Sequence, residues 1–375
     1  MQNRQVPSTM RMLITGATGF IGSRLAMHAR RAGIDVLATG RAEIDVERER
    51  LAELRAAEVP VEIGSLHDVG FVRRLVLDRT VVIHLAAAQH ESHMPAAYFR
   101  SVNVDVVQQL LDECRAAAIR RFVYGSTMGV YGEASAAQLD EQSEVRPENP
   151  YQETKLEAEA LVRTREYDFD TSIVRIAETY GPGDWRLLKL FRGIERGHFF
   201  MIGPGTNRRQ CIHVNDLVRG LMLAAEHPSA VGETFIMAGR EVMTTNEMVE
   251  RIATALERKP PRLKLPMWPF LAAATVMEAT LQPLRIHPPL HRRRLDFFRR
   301  SFVFSTVKAQ RLLGFTPEID FQSGAADTAR SGDLGYSYGT YDVKGAPPQH
   351  GAYVRVWQRD AAGKWLVVAD VVQKF

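Results

Sequence analysis

Met12-Leu13-Ile14-Thr15-Gly16-Ala17-Thr18-Gly19-Phe20-Ile21-Gly22 is a short apolar run that breaks into three glycines, and Leu25 to Arg31 beyond it has helical spacing. Strand, glycine turn and helix, in that order, is the context in which such a turn carries meaning. Gly16 allows the tight turn, Gly19 lets backbone N–H groups approach a pyrophosphate, and Gly22 permits close helix–strand packing. The phosphates of a dinucleotide then sit on the positive end of the helix. Thr18, Phe20 and Ile21 complete the turn and join the three glycines as candidate cofactor-binding residues. A turn that serves packing alone is the competing reading, and the flanking strand and helix weigh against it.

Outward from this turn, apolar runs alternate with helical ones. Asp35–Thr39, Val59–Ile63, Val81–Ala86, Arg121–Tyr124 and Thr171–Ile176 are continuous and apolar, as strands covered on both faces should be. Between them, Arg48–Ala57, Val69–Leu77, Tyr98–Ala118 and Thr154–Tyr167 have helical spacing. The order predicts an α/β fold, a Rossmann-type doubly wound parallel sheet with ligands at the carboxyl ends of its strands. A smaller mixed α/β substrate-binding portion and a short antiparallel β appendage follow it. The expected boundaries are 10–180 for the NAD(P)-binding domain, to which some later segments return, 181–330 for the substrate-binding portion and 331–375 for the tail.

The second strand ends at Thr39-Gly40-Arg41. A carboxylate there would hold the ribose 2′-OH of NAD, whereas Arg41 suits a 2′-phosphate, so NADP is favoured over NAD. A solvated loop charge is the alternative for Arg41. The fifth strand runs into Gly125-Ser126-Thr127-Met128-Gly129, which puts two hydroxyls at the carboxyl edge, although such pairs more often serve turns. One helix-length later stands Tyr151-Gln152-Glu153-Thr154-Lys155. Spacing of i to i+4 puts Tyr151 and Lys155 on one helical face. A phenol near pKa 10 is a poor acid–base catalyst at neutral pH, and an ammonium one turn along lowers that value. Taken alone, a Tyr and a Lys four apart are more often surface decoration.

At 375 residues the chain has room for two domains with full cores. Its formal charge of +4 is too small an excess to argue for nucleic acid. Two cysteines, Cys114 and Cys211, give neither a disulfide framework nor a metal spacing, so no metal is expected and a reducing cytoplasm fits. No secretory signal is visible, and the apolar stretch Met267 to Leu281 is too short to span a bilayer.

Taken together, these residues resemble the extended short-chain dehydrogenase/reductase superfamily, with its epimerase/dehydratase and 3β-hydroxysteroid-dehydrogenase-like branches. The matches are Gly16/Gly19/Gly22, His84-Leu85-Ala86-Ala87, Asn103-Val104, Ser126-Thr127 before Val130-Tyr131-Gly132, Tyr151 with Lys155, Tyr180-Gly181-Pro182-Gly183, and Ile212-His213-Val214-Asn215-Asp216. By that resemblance Tyr151 is the acid/base, and Lys155 tunes it and binds the nicotinamide ribose. Thr127 hydrogen-bonds the substrate oxygen, with Ser126 as second candidate. Asn103 supports a proton relay or the local backbone, and Leu85, Ala86 and Ala87 line the cofactor. Hydride passes between nicotinamide and a carbinol carbon.

Departures from the family pattern bear on the substrate. Dehydratases carry acidic residues after the Ser/Thr, where Met128 and Gly129 stand here, so dehydration is disfavoured. Sugar-nucleotide members often have Asn where this chain has Glu178, while Arg209 matches an arginine that meets the substrate diphosphate, with a surface charge among Asn207-Arg208-Arg209 as the alternative. Gly181–Asp184 through Gly203, Pro288–Arg294, Ser305–Ala309 and Leu313–Pro317 resemble the hydroxysteroid branch. The expected activity is therefore NAD(P)-dependent interconversion of a secondary alcohol and a ketone, on a steroid-like or other lipophilic substrate. A sugar-nucleotide epimerase is the first alternative, and a non-catalytic cofactor-sensing scaffold the second.

Leu265–Leu284 beside the basic run Arg285–Arg300 reads as a core helix with a solvated flank, and contact with a membrane surface is the alternative. The tail alternates as strands should at Gly335–Tyr341, Tyr353–Gln358 and Trp365–Val372, with a turn at Asp360–Gly363. It resembles the last strands of the ketosteroid-isomerase-like (SnoaL-like) cone fold, without the elements that complete the cone, so a structural, dimerising or fused-remnant role is expected, with a lid over the substrate as the alternative. The expected partners are a small-molecule substrate and a second copy in a homodimer.

Overall fold

The computed structural model describes residues 10–89, 94–132, 137–164, 167–281, 290, 292–331, 334–343, 349–359 and 365–374. Seven parallel strands form its main sheet: β1 (Arg11–Thr15), β2 (Asp35–Gly40), β3 (Val61–Ile63), β4 (Val81–His84), β5 (Arg121–Thr127), β6 (Asp170–Ile176) and β7 (Thr234–Met237). Their spatial order is β7-β6-β5-β4-β1-β2-β3. The strand order reverses between β1 and β4, which opens a crevice at their carboxyl ends. The glycine turn leaves β1 there and Leu85–Ala88 leaves β4.

Helices cover both faces: α1 (Phe20–Arg31), α2 (Asp45–Ala56), α3 (Val69–Val76), α4 (Ala96–Arg100), α5 (Val106–Ala116) and α6 (Pro150–Arg163). On one face Met12, Ile14, Ile83, Val123 and Val174 pack with α1 and the later helix Val214–Glu226. On the other Leu13, Val82, Phe122 and Tyr124 pack with α3, α5 and α6. Strands buried on both sides explain the continuous apolar runs in the sequence.

Several expected boundaries move. β4 stops at His84, two residues before the expected Ala86, because the chain turns away where Thr15 binds the Leu85 and Ala86 amides. β5 continues to Thr127 rather than Tyr124, held by parallel pairing with β6 as far as Thr127–Ile176. Helix α6 begins at Pro150, where Asn149 Oδ1 accepts from the Gln152 amide at 3.2 Å and a proline occupies the first helical position. It ends at Arg163 instead of Tyr167, where Thr164 turns extended. Between α4 and α5 the chain makes one π turn, Ser101–Asp105.

The chain divides into two compact units. The first comprises Met1–Tyr180, Phe200–Met248 and Arg262–Phe321, and the second Gly181–Phe199, Val249–Pro261 and Gln322–Phe375. Within the second lie helix Trp185–Glu195 and a three-stranded antiparallel meander, β8 (Leu334–Val343), β9 (Gln349–Arg359) and β10 (Trp365–Lys374), in the order β8-β9-β10. The expected turn at Asp360–Gly363 lies outside the described residues, as do Arg285, Pro288, Pro289 and His291 of the basic run. Among the described residues no helix is long and apolar enough to cross a membrane.

Candidate active site

The glycine turn is built for close approach. Gly16 adopts φ +68°, and a Cβ there would lie 2.6 Å from the Ala86 amide nitrogen. A Cβ on Gly22 would drive into the Gly16 carbonyl oxygen. A glycine at each position is therefore required by β1, α1 and the β4 loop meeting at one point. Gly19 occupies the N-cap position of helix α1 and supplies no side-chain cap. The first-turn amides of Phe20, Ile21 and Gly22 thus face the crevice side of the helix end, a donor set suited to a pyrophosphate. A dinucleotide fits this cradle.

Thr18 does local work as well. Its Oγ1 accepts from the Arg41 amide at 3.2 Å, and a Cβ on Gly40 would strike that hydroxyl. Thr18 thus excludes a side chain at position 40. Arg41 stands 3.7 Å from Glu43 and 3.9 Å from Glu47. Burial would lower its pKa, but a hydrogen bond to Tyr98 and the two carboxylates raise it.

His84 is fully buried, stacked with Phe122 and Tyr124, and 2.8 Å from Thr15 Oγ1 through Nδ1. Burial, then the charge of Lys155, pushes its pKa down to about 3, so it is neutral. The same Thr15 oxygen accepts from the Leu85 and Ala86 amides at 3.2 and 3.4 Å, which fixes the loop carrying Leu85, Ala86 and Ala87. Asn103, in the π turn, clamps the end of that loop. Its Oδ1 accepts from the Ala88 amide at 2.8 Å, and its Nδ2 donates to the Ala88 carbonyl and to Thr154 Oγ1, each at 3.1 Å. Asn103 therefore ties the β4 loop to α6.

Tyr151 lies in the first turn of α6 and packs with Ala88 and Phe99. Lys155, one turn later and 2% exposed, donates to the Gly125 carbonyl at 2.6 Å and sits 4.1 Å from the centre of the Tyr124 ring. Burial pulls its pKa to about 7, against a smaller upward pull from Glu159. Thr127 Oγ1 accepts from the Gly129 amide at 3.0 Å, which leaves its hydroxyl proton to donate elsewhere. Ser126 differs, because its hydroxyl is buried and donates to Glu159 Oε1 at 2.5 Å. Of the two, Thr127 is the one available to a substrate.

Glu178 and Arg209 are brought together because strand Ile212–His213 pairs with Thr179–Tyr180. Arg209 forks onto Glu178 Oε2, donates to the Phe297 carbonyl at 2.8 Å, and lies over the Phe297 ring at 4.2 Å. The guanidinium is thus neutralised by Glu178.

A family model described as the NAD dependent epimerase/dehydratase family matches residues 12–238. UDP-glucose 4-epimerase of Vibrio cholerae is 26% identical over 276 residues, which span 71% of this chain and 81% of that enzyme. dTDP-glucose 4,6-dehydratase of Streptomyces griseus is 28% identical over 333 residues, spanning 85% and 93%. Among solved structures, MoeE5 in complex with UDP-glucose and NAD superposes with a TM-score of 0.66 at 26% identity, covering 86% of this chain and 98% of that one.

Proposed function

The chain belongs to the NAD dependent epimerase/dehydratase family, and from that premise we propose that it epimerises a nucleotide sugar at a hydroxyl-bearing ring carbon, with NAD on the glycine turn. The observation that carries this reading is the arrangement at the crevice. A phenol (Tyr151), a buried ammonium one turn on (Lys155) and an available hydroxyl (Thr127) stand on α6 and β5, beside the loops that frame a dinucleotide cradle.

Bound NAD supplies a hydride acceptor that can return the hydride to the opposite face of the sugar. Tyr151 takes the hydroxyl proton as the carbonyl forms and gives it back as the alcohol is restored. Thr127 orients the substrate oxygen. Lys155, when protonated, favours the phenolate. Arg209 offers its guanidinium to the diphosphate, in competition with Glu178. The steroid-like substrate expected from the sequence has no support among these relatives, which act on nucleotide sugars. Dehydration remains disfavoured, because the position after Thr127 is the buried Met128 and not an acid.

Incubation with UDP- and dTDP-hexoses, read by proton NMR of the sugar ring, tests the proposal. An epimer should accumulate without a net rise in NADH absorbance. Stoichiometric NADH release, or a keto-deoxy sugar as product, would reject epimerisation.

The proposal also reverses the NADP preference read from Arg41. With Glu43, Glu47 and Tyr98 already on that guanidinium, a 2′-phosphate gains little. NAD is expected to bind at least about tenfold tighter than NADP, with Arg41→Ala changing the ratio by less than about threefold. Tighter NADP binding that Arg41→Ala abolishes would restore the first reading.

A further inference from the structure

Beneath the candidate site lies a buried charged cluster that the proposed reaction does not use directly. Glu159 is fully buried, one turn after Lys155 and two after Tyr151 on α6. Its carboxylate accepts from Ser126 Oγ at 2.5 Å, from Arg175 Nε and Nη2 at 3.0 and 2.8 Å, and from Arg163 at 2.6 Å. Arg175 comes from β6, and its remaining nitrogen donates to the Tyr131 hydroxyl at 2.7 Å. Tyr131 in turn donates to the Asp140 carbonyl at 2.6 Å. Burial pushes Glu159 upward, yet Arg175, Ser126 and Arg163 hold its carboxyl below the usual carboxylate range, so it is ionised.

Thr127 caps the short helical turn Met128–Tyr131, with Ser126 immediately before it. The cluster therefore holds both ends of the Thr127 segment, Ser126 at one side and Tyr131 at the other. It anchors them to the helix that carries Tyr151 and Lys155.

We propose that Glu159 and Arg175 act as a positioning pair that keeps Thr127 in register with the Tyr151–Lys155 face, and that the buried Glu159 carboxylate, one turn along α6, is the counter-charge to the buried Lys155. The first half rests on the proposed reaction, and the second does not. A bidentate carboxylate–guanidinium pair fixes distance and plane together, which a single hydrogen bond cannot do. Placement errors on the order of 1 Å at reacting groups cost about 100-fold in rate, so such an anchor has kinetic weight. The groups facing Lys155 are His84 from β4, Tyr124 and the Gly125 carbonyl from β5, and Tyr151 and Glu159 from its own helix. Arg175, from β6, is paired with Glu159. His84 is neutral and Tyr124 is raised well above its ordinary value by burial, so Glu159 is the anion that counts.

The test follows the full chain with lysine side chains carrying a 13C label at Cε, the Lys155 signal being identified by its loss in Lys155→Met. In Glu159→Gln, folded by circular dichroism, the Lys155 titration midpoint should move to lower pH. For the nucleotide-sugar reaction, kcat should fall by about 30-fold while KM and NAD affinity stay within about threefold. Arg175→Lys, which keeps the charge and loses the fork, should lower kcat without moving the Lys155 midpoint downward. Should Glu159→Gln fail to fold, Ser126→Ala removes the hydroxyl bound to Glu159, and Tyr131→Phe removes the one that links Arg175 to the Asp140 carbonyl; both leave the ion pair, and each should lower kcat several-fold. An unmoved Lys155 midpoint in folded Glu159→Gln overturns the electrostatic half. Wild-type kcat in Glu159→Gln, or in both milder variants, overturns the positioning half. If the wild-type chain turns over no nucleotide sugar, the proposed function fails by itself, and the lysine titration still decides the electrostatic half.

Discussion

Tyr151→Phe lowers turnover by about 100-fold or more while leaving NAD affinity within about threefold of wild type. The substitution removes one oxygen from a ring that is 8% exposed and packed with Ala88 and Phe99, so the ring's packing is preserved. What disappears is the group in the first turn of α6 that can exchange a proton with a carbinol oxygen. Lys155 cannot stand in for it, because its ammonium is committed to the Gly125 carbonyl on the buried side of the helix. Thr127 cannot either, since a hydroxyl that accepts from the Gly129 amide orients a substrate oxygen without storing its proton. The measurement is single-turnover conversion of the nucleotide sugar beside a fluorescence titration with NAD. Loss of turnover and NAD binding in parallel would mean that the phenol serves the binding cradle, and unchanged turnover would remove Tyr151 from the chemistry.

The parts of this site legible in the sequence are those that local spacing determines. Three glycines between a strand and a helix, and a Tyr and a Lys one turn apart, need only the chain's own periodicity to be read. The meander of the tail was legible for the same reason, since alternation in each strand is a local signal. Other features depend on what lies across the sheet. Arg175 is the one charged residue in the expected strand Thr171–Ile176, and that charge was the one available hint of a buried partner. That the partner is Glu159, on the helix packed over β5 and β6, follows from tertiary packing alone. The commitment of Ser126 to that carboxylate, which separates it from Thr127, was equally out of reach. The π turn that aims Asn103 at Ala88 leaves no clear periodic mark, because one extra residue per turn is lost in a helical pattern. Arg41 is the opposite case: its neighbours Glu43 and Glu47 are in plain view in the sequence, but whether they turn back onto it is set by the cap of α2.

Lys155→Met is expected to separate stability from activity. Burial holds Lys155 at about 7 against an ordinary value of 10.5. Between those two values the unfolded chain keeps a proton that the folded chain has released, so stability rises with pH across this window. Below about pH 7 both states are protonated, and the fold carries the whole penalty of a buried ammonium, on the order of 5 kcal/mol. Methionine fills similar volume with no charge to desolvate. It leaves the Gly125 carbonyl without its donor, which costs about 1–3 kcal/mol. Relief of the buried charge outweighs that lost hydrogen bond, so at pH 7 the variant should melt a few degrees higher than wild type, and its stability should lose the rise from pH 7 to 10. Activity should go the other way. Without the ammonium Tyr151 lacks the neighbouring charge that favours a phenolate during proton transfer, and a group expected to meet the cofactor ribose is gone, so turnover should fall by about 100-fold or more and NAD affinity by about tenfold. Thermal melts at several pH values, paired with the NAD titration, read both effects from one preparation. A variant that is less stable at pH 7 and keeps the pH slope would show that Lys155 is not the buried, proton-releasing group of this site.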